Sequence, residues 1–138
     1  CLSRGLGDVY KRQLGSLTIN AFTAADGIMI PFDAELFALV GLKELTDTIS
    51  KIKQNLNPKV EITGIFFTKC SKRTTLYREI SEQVHAAFGH LHIFESRIPA
   101  TVKVGSANSK GLSVMELDAK NEAAIAYMNL AKEVLEYA

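Results

Sequence analysis

The sequence predicts an α/β protein built on a mainly parallel sheet. Short β-branched and aromatic runs alternate with longer amphipathic stretches from residue 14 onward. The apolar runs are nearly continuous, as strands covered on both faces read. No two-residue hairpin turn separates one run from the next.

Each element has its own signal. Leu14 to Ala25 reads as a short helix with Leu17, Ala21 and Ala24/Ala25 on one face. Gly27 to Pro31 is an apolar run closed by proline, which predicts a buried strand end. The longest helix is expected over Ala34 to Asn55, with Leu42, Leu45, Ile49, Ile52 and Leu56 in one stripe and Asn57-Pro58 as its stop. Asp33 and Glu35 then read as acids at that helix's N-terminus. Val60 to Thr68 carries Ile62, Ile65, Phe66 and Phe67 and predicts a parallel strand. Lys69 to Thr75 is a basic loop. Leu76, Ile80, Val84 and Ala87/Phe88 mark a helix that stops near Gly89.

Leu91 to Phe94 predicts a third strand, followed by the loop Ile98-Pro99-Ala100. Ser106 to Gly111 reads as loop or a weak helical turn. Asp118 is the expected N-cap of a last helix running to about Tyr137, with Ala124, Tyr127/Met128, Ala131 and Val134/Leu135 inward.

The 138 residues suffice for one domain with a modest core. A net charge of +1 gives no strong overall field for DNA or an anionic membrane, so nucleic-acid binding would need a local patch. Cys1 and Cys70 have no metal-ligand spacing, which suits a reducing cytosol. No apolar run approaches the roughly 20 residues that span a bilayer.

The segment Asp8-Val9-Tyr10-Lys11-Arg12-Gln13 is the letter-for-letter translation of GAT GTG TAT AAG AGA CAG, a transposase end used in sequencing-library preparation. Residues 1–13 are therefore expected to be a read-through artefact, and residues 14–138 the protein proper.

From Leu14 to Asp26 the run LGSLTINAFTAAD closely resembles the L-G-x-L-T-x-N-A-L-T-A-A-D pattern of ParA-type partition ATPases. The resemblance continues at Ile30-Pro31, Glu35, Ala38-Leu39, Gly41, Gly64, Thr68, Arg73-Thr74, Leu76, Ile98-Pro99, Asp118 and Leu130 to Glu133. It implies the C-terminal part of a P-loop NTPase-like, doubly wound sheet with helices on both faces. It also implies an intact protein of the MinD/ParA group that binds ATP and Mg²⁺. Such a protein forms a homodimer around two nucleotides, binds DNA non-specifically and hydrolyses ATP when a ParB-like partner stimulates it. The expected location is cytoplasmic and nucleoid-associated, with plasmid or chromosome partition as the role and no membrane partner.

Phosphoryl transfer needs a glycine-rich loop around the phosphates, lysines against the developing charge and an acid organising Mg²⁺. The family carries these before the Leu14-Gly15 position. Gly5-Leu6-Gly7 lacks the Gly-Lys-Thr of such a loop. The chain is accordingly expected to be a fragment without catalytic residues, inactive alone and binding no cofactor tightly.

Ligands of open α/β sheets sit beyond the carboxyl ends of strands. Two such ends carry the expected nucleotide contacts, Thr68 and Ser71 on one and Pro99 and Ala100 on the other. The resemblance implies that both lie near the adenine. Ser71 departs from the family's Asp or Asn, which puts base recognition there in doubt; Ser71 and Thr74 alternatively only start the next helix. Lys69, Lys72, Arg73 and Lys103 are the expected DNA contacts, since Arg73 falls on a family arginine tied to DNA binding. Another such arginine is replaced by Ala100, and Lys103 stands at the next. A solvated basic loop is the alternative.

His85, His90 and His92 straddle a helix end and read as surface or packing residues. Cys70 reads as a small strand-end residue. Two other functions compete. A MinD-like ATPase that positions cell division on a membrane needs a basic amphipathic tail, whereas the chain ends KEVLEYA. A non-enzymatic α/β binding module remains the third reading.

Overall fold

A computed structural model describes residues 15–35, 37–71 and 75–137. The expectations for Lys72 and Arg73, and for the leader 1–13, lie outside these. In chain order the elements are α1 (Ser16–Ala24), β1 (Gly27–Asp33), α2 (Ala38–Asn55) and β2 (Glu61–Thr68), then α3 (Thr75–Phe88), α4 (Val102–Ser109), α5 (Val114–Asp118) and α6 (Glu122–Tyr137). The α/β class with a parallel sheet holds, and β1 pairs with β2. The chain divides into two compact units, one of residues 15–28 and 40–63 and one of residues 29–39 and 64–137.

In the first unit, α2 buries Leu42, Ile49 and Ile52, and Val60 is fully buried at the approach to β2. Leu45 is only half-buried and Leu56 is exposed, so the expected stripe is right in its centre and too long at its end. The short helix is present as α1, but none of its residues is buried and Leu17 is 83% exposed. The helix is held at its end instead. The Asn57 amide donates to the carbonyls of Phe22 at 3.3 Å and Ala25 at 2.8 Å, satisfying acceptors that a helix C-terminus leaves open. Lys53 and Glu61 form an exposed ion pair at 3.4 Å.

In the second unit β1 runs through Pro31 to Asp33 rather than stopping at the proline. Ile30 and Phe32 are buried while Pro31 is exposed. With one strand partner among the described residues, every second residue owes that partner no N–H, so a proline fits there. Expected from Ala34, α2 begins only at Ala38, because β1 runs on to Asp33 and the backbone then bends, with Glu35 N–H donating to the Asp33 carbonyl and Ala38 N–H to that of Glu35. Asp33 is thus the end of a strand, not a helix N-terminal acid.

Residues 93–99 run parallel beside β2 but make isolated bridges, Ile65 to Ile93 and Cys70 to Pro99, rather than the expected strand over 91–94. Six steps from Ile93 to Pro99 oppose five from Ile65 to Cys70, which places one extra residue in the segment, as in a bulge. The bulge leaves the N–H groups of Glu95 and Ser96 off the ladder. Both donate to the carboxylate of Glu133 on α6, the second at 2.9 Å. Burial pushes the Glu133 carboxyl up, but the Ser96 side chain and the two backbone N–H groups outweigh it and hold the pKa below the ordinary 4.5.

Beside the bulge, Gly64 is required. A Cβ there would sit 2.5 Å from the Phe94 ring and 2.9 Å from the His92 carbonyl oxygen. Phe94, Ile98, Ala123 and Leu130 form a core that Met29, Phe66, Val104, Val114, Ala126 and Val134 extend.

The helices of this unit correct four expectations. The buried face of α3 is Tyr77, Ile80, Ser81, Val84 and Phe88, so Leu76 and Ala87 point outward. Residues 102–109 form a full helix, α4, capped by the Thr101 hydroxyl, where only a loop or a weak helical turn over Ser106 to Gly111 is expected. The sequence reading also misses α5, whose Ser113 and Glu116 make a reciprocal capping box. Asp118 ends α5 instead of capping α6; Asn121 takes that role, its Oδ1 accepting from Ala123 N–H at 3.0 Å. On α6, Ala123, Ala124 and Leu130 are buried, while Tyr127, Met128, Ala131 and Leu135 are exposed. Ala124 and Val134 face inward as expected, whereas the stripe between them runs through Ala126 and Leu130 rather than Tyr127/Met128 and Ala131.

A candidate ligand cleft at the strand ends

β2 ends in a tight departure. Lys69 has φ +49°, the left-handed region that costs a side-chain-bearing residue roughly 1–2 kcal/mol. Its ammonium meets Asp33 at the end of β1 at 2.8 Å. The hydrogen bond and charge of Asp33 raise the Lys69 pKa. The turn delivers Cys70, buried, to a bridge with Pro99. Cys70 N–H donates to the Ile98 carbonyl at 2.9 Å, and Ala100 N–H to that of Cys70 at 3.3 Å. Two parallel segments therefore release their chains side by side at their carboxyl ends, where an α/β sheet offers room for a ligand.

A cleft of 690 Å³ opens there. Cys70 and Ser71 line it from β2's end, and Arg97, Pro99 and Ala100 from the neighbouring segment. Glu122, Ile125, Ala126 and Asn129 of α6 complete it. Three of the four expected nucleotide contacts thus come together, Ser71 with Pro99 and Ala100. Thr68, the last residue of β2, is not among the lining residues.

Of the expected DNA contacts, the described residues include Lys69 and Lys103. Lys69 is committed to Asp33, and Lys103 on α4 lies 3.6 Å from Asp118. Each positive charge has a carboxylate beside it, which lowers its field at a phosphate.

Sequence reasoning missed Arg97 altogether. Its guanidinium lies 5.0 Å from the Phe67 ring centroid and 5.6 Å from that of Tyr77. Nη1 donates to the Tyr77 hydroxyl and, at 3.3 Å, to Ser81 Oγ. Burial raises the Tyr77 pKa despite the opposing pull of Arg97. The polar spacing Tyr77–Ser81 on one helix turn was the only sequence signal for this arrangement.

The histidines have separate packing roles. The His85 ring nitrogen Nδ1 lies 2.7 Å from the Ser81 carbonyl oxygen, and the ring stacks on Phe67. His92 stacks on Tyr137 with centroids 3.9 Å apart.

The chain is similar to known proteins in sequence and in fold. The AAA_31 family model, described as AAA domain, matches residues 11–62. The chromosome partitioning protein ParA of Caulobacter vibrioides is 39% identical over 123 residues, 89% of this chain and 46% of that protein. The chromosome-partitioning ATPase Soj of Treponema pallidum is 40% identical over 123 residues, 89% of this chain and 48% of that protein. Among solved structures, cobyrinic acid a,c-diamide synthase from Mycobacterium smegmatis superposes with a TM-score of 0.70 at 30% identity, covering 90% of this chain and 43% of that one. The same enzyme has been solved with ADP and magnesium, and with an ATP analogue and magnesium, at TM-scores of 0.69. The chain is thus similar in sequence to ParA/Soj chromosome-partitioning proteins and has a P-loop ATPase-like α/β fold, and it spans a little under half the length of the curated relatives it matches.

Proposed function

We propose that residues 14–138 are the C-terminal part of a ParA-type partition ATPase, and that the cleft takes the base end of its nucleotide. The observation that carries this reading is the bridge between Cys70 and Pro99, which joins two strand ends in a ParA/Soj-type chain and brings Ser71, Pro99 and Ala100 to one cleft. Pro99, Ile125 and Ala126 supply apolar surface for a flat ring, and Ser71 and Asn129 supply hydrogen-bonding groups for its edge.

In the intact protein, ATP and Mg²⁺ bind between this part and a phosphate loop, and two copies close on two nucleotides. The dimer then binds DNA through Arg73, Lys72 and Lys103, with Lys69 restrained by Asp33. A ParB-like protein stimulates hydrolysis, and the work is done on the nucleoid in the cytoplasm. Among the described residues no helix is long and apolar enough to cross a membrane.

The test is DNA binding by the protein from the uninterrupted gene, measured with ATP and Mg²⁺, with ADP, and without nucleotide. Tight, salt-sensitive and sequence-independent binding in the ATP state alone is expected. Equal DNA affinity in all three states would overturn the reading.

A further inference from the structure

Two walls of the cleft are joined by one side chain. One wall is the segment of Arg97, Pro99 and Ala100, and the other is α6 with Ile125, Ala126 and Asn129. Along α6, Ala126, Asn129 and Glu133 recur at three- and four-residue intervals and so share one face of the helix. Glu133 therefore stands one helical turn, about 6 Å, beyond the wall. Asn129 also borders the adjoining cleft of 480 Å³ in which Glu95, Ser96 and Glu133 meet.

Each oxygen of the Glu133 carboxylate takes one backbone N–H, Oε1 that of Glu95 and Oε2 that of Ser96 at 2.9 Å. A carboxylate engaged through both oxygens fixes orientation as well as distance. Phe94 and Ile98 pack with Ala123 and Leu130 and also hold the segment to α6, but apolar burial is non-directional and leaves the register open. The N–H groups of Phe94 and Ile98 return to β2, and between them the bulge is pinned to α6 by this carboxylate. Ser96 directly precedes Arg97, so the pin sets where the cleft-lining segment begins.

We propose that Glu133 is a positioning residue for nucleotide binding, holding the two walls at the spacing a flat base needs without itself lining the cleft. The inference rests on the reading of the cleft as the base end of a nucleotide site. Without the clamp the walls spend part of their time apart, and apparent affinity falls with the fraction of molecules in the closed arrangement.

The experiment is competition by ATP and by inorganic tripolyphosphate against a ribose-labelled fluorescent ATP on the intact protein with Mg²⁺. Tripolyphosphate keeps the phosphates and loses the nucleoside, so the ratio of the two affinities reads the base end and not the phosphate end. Wild type should bind ATP far more tightly than tripolyphosphate. Glu133→Ala should weaken ATP by about tenfold, the factor that one lost hydrogen bond to a charged acceptor puts on a local equilibrium, and tripolyphosphate by less than about twofold. Glu133→Gln keeps one acceptor oxygen and should restore part of the loss, and it serves as the second variant if the alanine disturbs folding. Glu136→Ala removes the same charge from an exposed position on α6 and should leave the ratio as in wild type. An unchanged ratio in both Glu133 variants, an equal loss for the two ligands, or the same change in Glu136→Ala would overturn the role of Glu133 while leaving the base site standing. Wild type binding ATP no more tightly than tripolyphosphate would overturn both.

Discussion

Replacing Glu133 with alanine tests how α6 is fastened to the segment that carries Arg97 and Pro99. The Glu133 carboxylate takes two backbone N–H groups at the bulge. A hydrogen bond to a charged acceptor contributes about 1.5–3 kcal/mol net. Glu95 is exposed, so water replaces its bond at little cost, whereas Ser96 is half-buried. Counting the Ser96 bond alone gives a loss of about 1.5–3 kcal/mol for Glu133→Ala. In a protein of the size of the relatives this lowers the melting temperature by about 3–12 °C. Glu133→Gln keeps one acceptor oxygen and should lose about half as much.

The pH dependence has a definite sign. The folded-state pKa lies below the ordinary 4.5, so the contribution is fully present above pH 4.5 and is lost as pH falls through the lower folded value. The wild-type advantage over Glu133→Ala should therefore be flat near neutrality and shrink below pH 4.5. Denaturant melts of the intact protein and both variants, repeated across that range, measure it. A Glu133→Ala cost under about 0.5 kcal/mol, or one that does not shrink in acid, would refute the assigned role.

Three further outcomes are expected. Gly64→Ala should cost about 1–3 kcal/mol, because its Cβ meets the Phe94 ring and the His92 carbonyl; an unchanged denaturation midpoint would show that the sheet yields there. In ATP-dependent DNA binding, Lys103→Ala and Arg73→Ala should each reduce the log–log salt slope by roughly 0.9, while Asp118→Asn, which unburdens Lys103, should strengthen binding; unchanged slopes would mark a solvated loop. The isolated chain should show no metal-dependent ATP turnover and should be poorly soluble or molten, since Ile62 to Phe67 is an uncharged, β-prone run and Leu17, Phe37 and Leu135 are more than three-quarters exposed. A cooperative melt of a soluble monomer would contradict that.

The class of fold was legible because strand and helix differ in period. Ile65 and Phe67 are fully buried, as a continuous apolar run implies, and Leu42, Ile49 and Ile52 lie on the expected face of α2. Faces failed where small and large apolar residues crowd together. On α6 the run from Ala123 to Leu135 holds apolar side chains at almost every phase, so spacing alone does not choose Leu130 over Met128. The start of α5 carries the signature Ser113-x-x-Glu116 of a capping box, but at 5 residues the helix is too short for an apolar period to support it. Of the cleft, Ser71, Pro99 and Ala100 were reachable because strand ends can be located from sequence. Arg97 was not, since its partners Phe67, Tyr77 and Ser81 come from β2 and α3 and meet it only in three dimensions. Lys69 shows the converse: a cation in sequence, it is half of an ion pair in the fold.

Photolabelling of the intact protein with 8-azido-ATP, mapped by mass spectrometry, tests the central claim most directly, because it asks which residues lie beside the base. Label on the peptides carrying Ser71 and Pro99-Ala100, removed by excess unlabelled nucleotide, is the predicted result. Label that is competed away equally well but falls wholly outside the cleft formed by the ends of β2 and residues 97–100, and by α6, would contradict it.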